Sequence, residues 1–290
     1  MKTRVITSTV YMLAVAALCA AKWFIPDGWG ALLFDALFLA VAAIGSFELL
    51  RAFGGVSVVQ RAVACTFCAL SAPMFALTAM LMGSGWTGAA VALCLGLLGV
   101  FFAFVADHSR SDANSTLRSA FALVYVGLLS AVLAASNHLT AGDNSMFAML
   151  FLFLSVPFSD AGAYLIGIAL GKKLPAKLAP AISPNKTVIG AVGGLIGGMA
   201  GGVAAYYILV ALGGTFASSS ALPGWAFALI IGLAVSVCEQ FGDLFESAIK
   251  RSCGVKDMGN LLPGHGGVLD RFDGTLFAGI VIFLAFTFVA

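Results

Sequence analysis

The sequence predicts an all-α integral membrane protein with about nine transmembrane helices. Of its 290 residues, 61% are hydrophobic and only 10% are charged, so lipid is the main solvent of the folded chain. No alternating strand pattern dominates, and a helix pairs its own backbone polar groups in lipid, so helices are expected rather than a barrel. Nine apolar runs have about the length that spans the hydrocarbon layer: 5–25, 29–50, 62–82, 87–106, 119–136, 146–170, 188–212, 222–246 and 274–290.

The distribution of Lys and Arg predicts the orientation of these helices. If the N-terminus is cytoplasmic, Lys22 is the one basic residue of the 15 that falls outside. The sequence therefore predicts a multi-pass protein of the cell inner (plasma) membrane, with its C-terminus outside. The formal net charge is only +2 and the basic residues form no stripe, which argues against nucleic acid as a partner.

The two halves of the chain differ in where their ionisable residues lie. Residues 1–145 are interpreted as scaffold helices and residues 146–290 as the catalytic region of one continuous membrane domain. Two carboxylates in the first half are exceptions to the scaffold interpretation. Both lie inside predicted spans, where a charge is costly and usually has a function. Glu48 is expected to pair with Arg51 at the interface, whereas Asp35 receives no role. His138 is expected to be a loop residue.

Acidic residues concentrate near the C-terminus. Six of the 13 carboxylates lie within residues 239–273. Spacings of four and three residues put one group of side chains on a single helix face: Glu239, Asp243, Glu246 and Lys250. Asp270 and Asp273 form a second acidic pair if the last helix has already begun at these positions.

This pattern predicts a metal–phosphate site. Carboxylates are the ligands that Mg²⁺ prefers, and Mg²⁺ commonly joins nucleotide phosphates through one or two of them. Basic residues predicted on the same side can neutralise a triphosphate: Lys172, Lys173, Lys186, Lys250, Arg251, Lys256 and Arg271. Interfacial salt bridges and a positive-inside loop are the alternative reading. That reading suits the basic residues at 172–177, but it does not explain the acids beside them.

Three glycine- or proline-containing segments carry further predictions. His265 lies in PGHGG, where glycines allow the backbone to approach a ligand, and it is expected to contact substrate as a base, a phosphate donor or a loop-ordering residue. SPNKT at 183–187 is expected to be a turn in which Ser183 and Thr187 bind phosphate or cap the next helix. The glycines within 190–202 recur every four residues, which predicts close helix packing rather than a phosphate loop.

Residues 247–273, SAIKRSCGVKDMGNLLPGHGGVLDRFD, are called the signature segment below. They resemble the signature of the phosphatidate cytidylyltransferase (CDP-diacylglycerol synthase) family, at Ser247, Lys250, Arg251, Lys256, Asp257, Pro263, His265, Gly266, Gly267, Asp270, Arg271 and Asp273. The resemblance extends through GDLFES, SPNKT and SDAGAY and covers roughly the C-terminal half. Ala161 and Asn185 depart from it, since a hydroxyl residue and a Lys are common there.

The resemblance implies roles for most of these residues. It implies a metal centre at Asp243, Asp270 and Asp273 that holds Mg²⁺, with a monovalent cation such as K⁺ as a candidate partner ion. It implies nucleotide contacts at Ser183, Pro184, Lys186, Thr187, Lys256, Asp257, His265, Gly266, Gly267 and Arg271. Lys250 and Arg251 would offset the growing charge beside the three catalytic acids. Further candidate site residues are Asp160, Glu239 and Glu246.

The activity that the resemblance implies is cytidylyl transfer from CTP to phosphatidic acid, giving CDP-diacylglycerol and pyrophosphate at an active site that faces the cytoplasm. A homodimer is compatible with it. Two alternatives stay open. One is a CTP-dependent lipid kinase or a cytidylyltransferase for an isoprenoid lipid. The other is an ion-coupled transporter, because intramembrane carboxylates and glycine-broken helices also build transport sites.

Overall fold

The described part of the protein is almost entirely helical, as predicted. The computed structural model describes residues 2–25, 29–217, 222–262, 264 and 266–288. The helices are α1 (Lys2–Phe24), α2 (Trp29–Phe53), α3 (Val58–Met82), α4 (Gly85–Ala106), α5 (Ala113–Ala122), α6 (Leu129–Asn137), α7 (Asn144–Leu170), α8 (Val188–Ala211), α9 (Gly224–Ser252) and α10 (Leu269–Phe288). The strands are β1 (Lys177–Ala179) and β2 (Ser183–Thr187), and a π-helical segment, Leu123–Leu128, joins α5 to α6.

Within the described residues, eight helical stretches are long and apolar enough to cross a membrane, which confirms the integral membrane fold. They are α2, α3, α4, the continuous stretch Ala113–Asn137, and α7 to α10. The remaining predicted run falls in α1, where Met12–Phe24 forms a shorter apolar helix. α10 begins at Leu269, five residues before the predicted run 274–290, so the acidic pair at its start is helical.

The chain divides into two compact units. Unit 1 consists of Met1–His138 and Cys253–Phe272, and unit 2 consists of Leu139–Ser252 and Asp273–Ala290. The segment between α9 and α10 therefore belongs with the N-terminal helices. The predicted split into scaffold and catalytic halves concerns function and stays a prediction.

A buried polar network in unit 1 gives Asp35 a role. The carboxylate of Asp35 lies 2.8 Å from Nε2 of His138 and accepts a hydrogen bond from Nδ2 of Asn137 at 3.0 Å. Lys22 donates from Nζ to the side-chain oxygen of Asn137 at 2.6 Å. His138 lies in the turn after α6, as predicted, and its ring in addition closes a network that joins α1, α2 and α6.

The glycines of α8 form two packing rows in unit 2, which confirms the prediction of close helix packing. A Cβ added at Gly193 would lie 2.6 Å from the carbonyl oxygen of Gly162 in α7. A Cβ added at Gly202 would lie 2.6 Å from the carbonyl oxygen of Ala228 in α9. One row therefore faces α7 and the other faces α9, and each allows backbones to approach at distances that a side chain would prevent.

Replacing Gly197 with Ala is expected to lower the free energy of unfolding by about 1–3 kcal/mol, as overpacking of a close interface does. Its new Cβ would collide with the carbonyl oxygen of Phe158. Gly167→Ala is the matched control, because its Cβ would meet no atom closer than 3.7 Å. Thermal unfolding in detergent measures both variants. Equal midpoints for the two would contradict close packing at Gly197.

Candidate active site

A cavity of about 410 Å³ lies in unit 2 between α7, the β1–β2 hairpin, α8 and α9. Its volume is in the range of small-molecule binding sites. Part of its wall is apolar and includes Leu178 and Ile168. The polar part comes from three of the segments singled out in the sequence, through Asp160 of α7, through Asn185, Lys186 and Thr187 of β2, and through Glu239, Gln240 and Asp243 of α9.

The SPNKT segment reaches this cavity as strand β2, so the predicted turn was wrong. β2 pairs antiparallel with β1, and Lys177 lies opposite Thr187. The sequence around residue 177 gave no alternating pattern that would have revealed this partner strand. The predicted capping role is present, because the hydroxyl oxygen of Thr187 accepts a hydrogen bond from the backbone N–H of Gly190 at 3.1 Å. This cap fixes the point where the hairpin becomes α8.

Lys186 and Asp243 form an ion pair at the cavity through Nζ and Oδ2. Both side chains are 29% exposed, so each is accessible while partly shielded from water. Ser247, one turn along α9, donates to Oδ1 of Asp243 at 3.3 Å. A predicted nucleotide-binding residue and a predicted metal ligand, 57 positions apart in the chain, are therefore in direct contact.

A buried hydrogen-bond network includes Glu239 and Gln240, two residues that line the cavity. The hydroxyl of Ser159 donates to Oε2 of Glu239 at 2.6 Å and also lies 2.6 Å from the hydroxyl of Ser236. Gln240 donates to the same Ser236 hydroxyl at 3.2 Å. Glu239 is only 3% exposed, so these partners stabilise a carboxylate held away from water. Neither serine nor Gln240 was predicted as a site residue, although Ser236, Gln240 and Asp243 follow the spacing of one helix face.

The cytoplasmic end of α9, in the predicted orientation, carries the remaining candidates of this helix. Glu246 and Lys250 form an ion pair four residues apart, as the predicted stripe requires. The Glu246 side chain is fully buried and that of Lys250 is 11% exposed. Arg251 donates from Nε to the carbonyl oxygen of Ile182 at 3.2 Å, which ties α9 to the hairpin. Lys250 and Arg251 thus have distinct surroundings despite being adjacent.

Asp273 of α10 lies beside the acidic face of α9 in unit 2. Gly242 permits this approach, because a Cβ there would lie 2.7 Å from the carbonyl oxygen of Asp273. The Asp273 carboxylate interacts electrostatically with Glu246 and with Asp243. Its Oδ1 also accepts a hydrogen bond from the N–H of Gly274 at 2.7 Å. Carboxylates from two helices therefore share one region of unit 2.

The loop before α10 is organised by Asp270 within unit 1. Its Oδ2 accepts hydrogen bonds from the N–H groups of Met258, at 2.9 Å, and Gly267, at 2.8 Å. Asp270 is buried, with 6% of its surface exposed. Because both N–H groups bind Oδ2, one oxygen of this predicted metal ligand already holds the loop. Gly266 has a φ of +82°, and the N–H of Leu262 donates to its carbonyl oxygen at 2.9 Å.

Other predicted site residues have less defined surroundings. Lys256, Asp257 and Arg271 are exposed in unit 1, and Asp160 is exposed at the cavity of unit 2. Ser183 and Pro184 belong to β2, next to the cavity residues of the same strand. The predictions for His265 and Pro263 lie outside the described residues. The contact of His265 with substrate stays a prediction.

The donor chemistry of unit 2 fits a hard cation. Among the residues that the structure describes, no three His, Cys, Asp or Glu side chains are arranged to hold a metal ion by themselves. Mg²⁺ does not require such a set, because it usually keeps waters and binds one or two carboxylates together with substrate phosphates. Asp243 and Asp273 supply two such carboxylates.

Comparison with known proteins finds a family model that matches almost the whole chain. A sequence model of the family described as "Cytidylyltransferase family" matches residues 2–289. The chain is also similar to three curated proteins named "Phosphatidate cytidylyltransferase". It is 45% identical to the one from Bacillus subtilis over 120 residues, which is 41% of this chain and 39% of that protein.

The other two similarities cover comparable shares. The chain is 41% identical to the Brucella suis protein over 153 residues, 52% of each chain. It is 46% identical to the Staphylococcus saprophyticus protein over 129 residues, 44% of this chain and 45% of that protein. The matched segments thus span about half or less of the length of these relatives.

Proposed function

Because this chain belongs to the cytidylyltransferase family, we propose that it transfers the cytidylyl group of CTP to phosphatidic acid, giving CDP-diacylglycerol and pyrophosphate. The observation that carries the proposal is the cavity in unit 2. There the SPNKT strand and the acidic face of α9 meet through Lys186 and Asp243. A cation and an acid held side by side suit a ligand that combines phosphates with a divalent ion.

The reaction joins two phosphate compounds. An oxygen of the phosphomonoester of phosphatidic acid attacks the α-phosphorus of CTP, and the bond from that phosphorus to the β-phosphate oxygen breaks. Pyrophosphate leaves with the bonding electron pair. The attacking group is already an oxyanion near neutral pH, so a strong general base is not required. The main demand on the protein is to hold two mutually repelling anions in line.

Lys186 is placed to meet part of this demand. In the structure its ammonium group is held by Asp243. We propose that Lys186 turns to the phosphates of CTP when the nucleotide binds, because a triphosphate offers more negative charge than one carboxylate. Asp243 is then released to act with Asp273 as the acidic side of the site in unit 2, and the metal-binding role of Asp270 stays a prediction. Mg²⁺ bound there would neutralise phosphate charge and orient the triphosphate.

The remaining predicted residues act by charge and by position. Lys250 and Arg251 add positive charge near the end of α9, and Arg251 is braced against the hairpin. Thr187 fixes the start of α8 next to Lys186. Tyr164 and Ile168, 68% and 61% exposed, give α7 an apolar surface beside the cavity, which suits a lipid substrate. The cytoplasmic orientation and a location in the inner membrane remain part of the proposal.

Isotope transfer from CTP tests the proposed reaction. Purified protein in detergent is given phosphatidic acid, Mg²⁺ and CTP labelled on either the α- or the γ-phosphate. We expect α-label in the lipid product and γ-label in pyrophosphate only, because the bond that breaks lies between the α- and β-phosphates. Transfer of γ-label to lipid would indicate a kinase instead. Nucleotide-independent uptake of an ion or solute into liposomes would favour the transporter alternative.

A further inference from the structure

Glu48 in α2 caps a helix that begins 221 residues later in the chain. Its carboxylate accepts hydrogen bonds from the N–H of Val268 to Oε1 at 3.1 Å and from the N–H of Leu269 to Oε2 at 2.9 Å. Leu269 is the first residue of α10. Glu48 is 6% exposed, and both partners belong to unit 1. The expected pairing of Glu48 with Arg51 is therefore replaced by contacts to backbone.

The start of α10 needs such a partner from elsewhere. The first N–H groups of a helix have no acceptor within it, and a local Ser, Thr, Asp or Asn usually supplies one. Here the residue before the helix is Val268, whose side chain has no acceptor. A carboxylate also interacts favourably with the positive end of the helix dipole. Glu48 provides both effects from a different helix.

Two glycines of the signature segment pack directly against the Glu48 carboxylate. A Cβ added at Gly259 would lie 2.6 Å from Cδ of Glu48, and one added at Gly267 would lie 2.5 Å from the same atom. Any larger residue at either position would displace the carboxylate. The absence of a side chain at Gly267 is thus explained by packing against Glu48 as well as by the predicted contact with nucleotide.

Asp270 and Glu48 both bind the backbone at the start of α10. Asp270 binds the N–H groups of Met258 and Gly267, and Glu48 binds the next two N–H groups after Gly267. Three consecutive backbone donors, at residues 267–269, therefore end on two buried carboxylates. This arrangement fixes the backbone that carries Asp270 and the side chain of Arg271, the next residue along α10.

We propose that Glu48 is a positioning residue for the proposed reaction. It sets the start of α10, and through it the placement of Asp270 and Arg271. The predicted effect of Glu48 on turnover rests on the proposed function. Its predicted effect on the start of α10 can be measured without an assay of activity.

Glu48→Gln tests the proposal with little change in shape. The amide keeps one oxygen acceptor but replaces the other with a donor, so one N–H of Val268 or Leu269 loses its partner. We expect hydrogen exchange of a peptide covering 266–271 to accelerate about tenfold, as loss of a helix cap predicts. We expect kcat to fall by a similar factor, with the KM for CTP changed less than about twofold.

Two further variants separate positioning from general destabilisation. Asp35→Asn is the matched control, because it removes the charge of another buried acid in α2, which contacts Asn137 of α6 and His138, the residue after α6. It should leave exchange at 266–271 and kcat near the wild-type values. Val268→Thr, added to Glu48→Gln, supplies a local cap of nearly the same size as Val. This double variant should recover both slow exchange and kcat.

The capping role is overturned if hydrogen exchange at 266–271 is as slow in Glu48→Gln as in the wild-type protein. Fast exchange with unchanged kcat overturns the positioning role, as does a double variant that recovers slow exchange but not turnover. Failure of the wild-type protein to transfer α-label would refute the proposed function instead, and the exchange measurement would then still decide whether Glu48 caps α10.

Discussion

Asp243→Asn is expected to lower kcat for cytidylyl transfer by about 100- to 1000-fold, the range seen when a preorganised electrostatic contact is removed from an active site. The substitution removes one of the acidic groups that line the cavity and leaves Lys186 without its ion-pair partner. The shape of the side chain is preserved, so substrate access should be unchanged. Steady-state rates with α-labelled CTP and phosphatidic acid measure the effect.

The control for this variant is Asp107→Asn. Asp107 follows the end of α4 in unit 1, outside the residues that line the cavity. It undergoes the same loss of charge and should keep kcat within about twofold, as surface changes away from a site usually do. Thermal unfolding checks that both proteins are folded. An Asp243→Asn protein that is folded and as active as the control would remove Asp243 from the proposed mechanism.

Lys186→Met is expected to lower kcat/KM for CTP by about 10- to 100-fold, the factor that corresponds to losing one hydrogen bond to a charged group. The ammonium group is proposed to bind a phosphate of CTP in both the ground state and the transition state. We therefore expect KM to account for much of the change. The variant also leaves Asp243 without its cation, which adds repulsion against the nucleotide. Substrate-saturation curves separate kcat from KM.

Lys173→Met is the matched control for the loss of positive charge. Lys173 is exposed between α7 and β1 and is not among the residues that line the cavity. Its loss should change kcat/KM less than about threefold, because solvent screens exposed charges. If Lys173→Met and Lys186→Met have equal effects, only the total positive charge of this surface matters, and a specific contact between Lys186 and phosphate is excluded.

The acidic face of α9 could be predicted because helix geometry depends only on spacing in the sequence. The ion pair from Glu246 to Lys250 follows directly from a separation of four residues. The same reasoning placed Glu239 and Asp243 on one side of the helix, and both line the cavity. Local periodicity also predicted the two glycine rows of α8, since residues four apart necessarily share a face.

The contacts that local spacing could not predict join distant segments. The pairing of Lys186 with Asp243 depends on a hairpin whose first strand has only three residues, too few to show a periodic pattern. The partners of Glu48 are the backbone N–H groups of Val268 and Leu269, and residue types alone do not indicate which backbone groups a carboxylate will bind. The network of Asp35 with His138 likewise depends on how α2 packs against α6.

The most direct test is an experimental structure of the protein with Mg²⁺ and a CTP analogue that cannot be cleaved between its α- and β-phosphates. We expect a triphosphate oxygen within hydrogen-bond distance of Nζ of Lys186, and we expect the contact between Lys186 and Asp243 to be broken. A nucleotide bound away from this cavity, with the two side chains still paired, would contradict the proposed site.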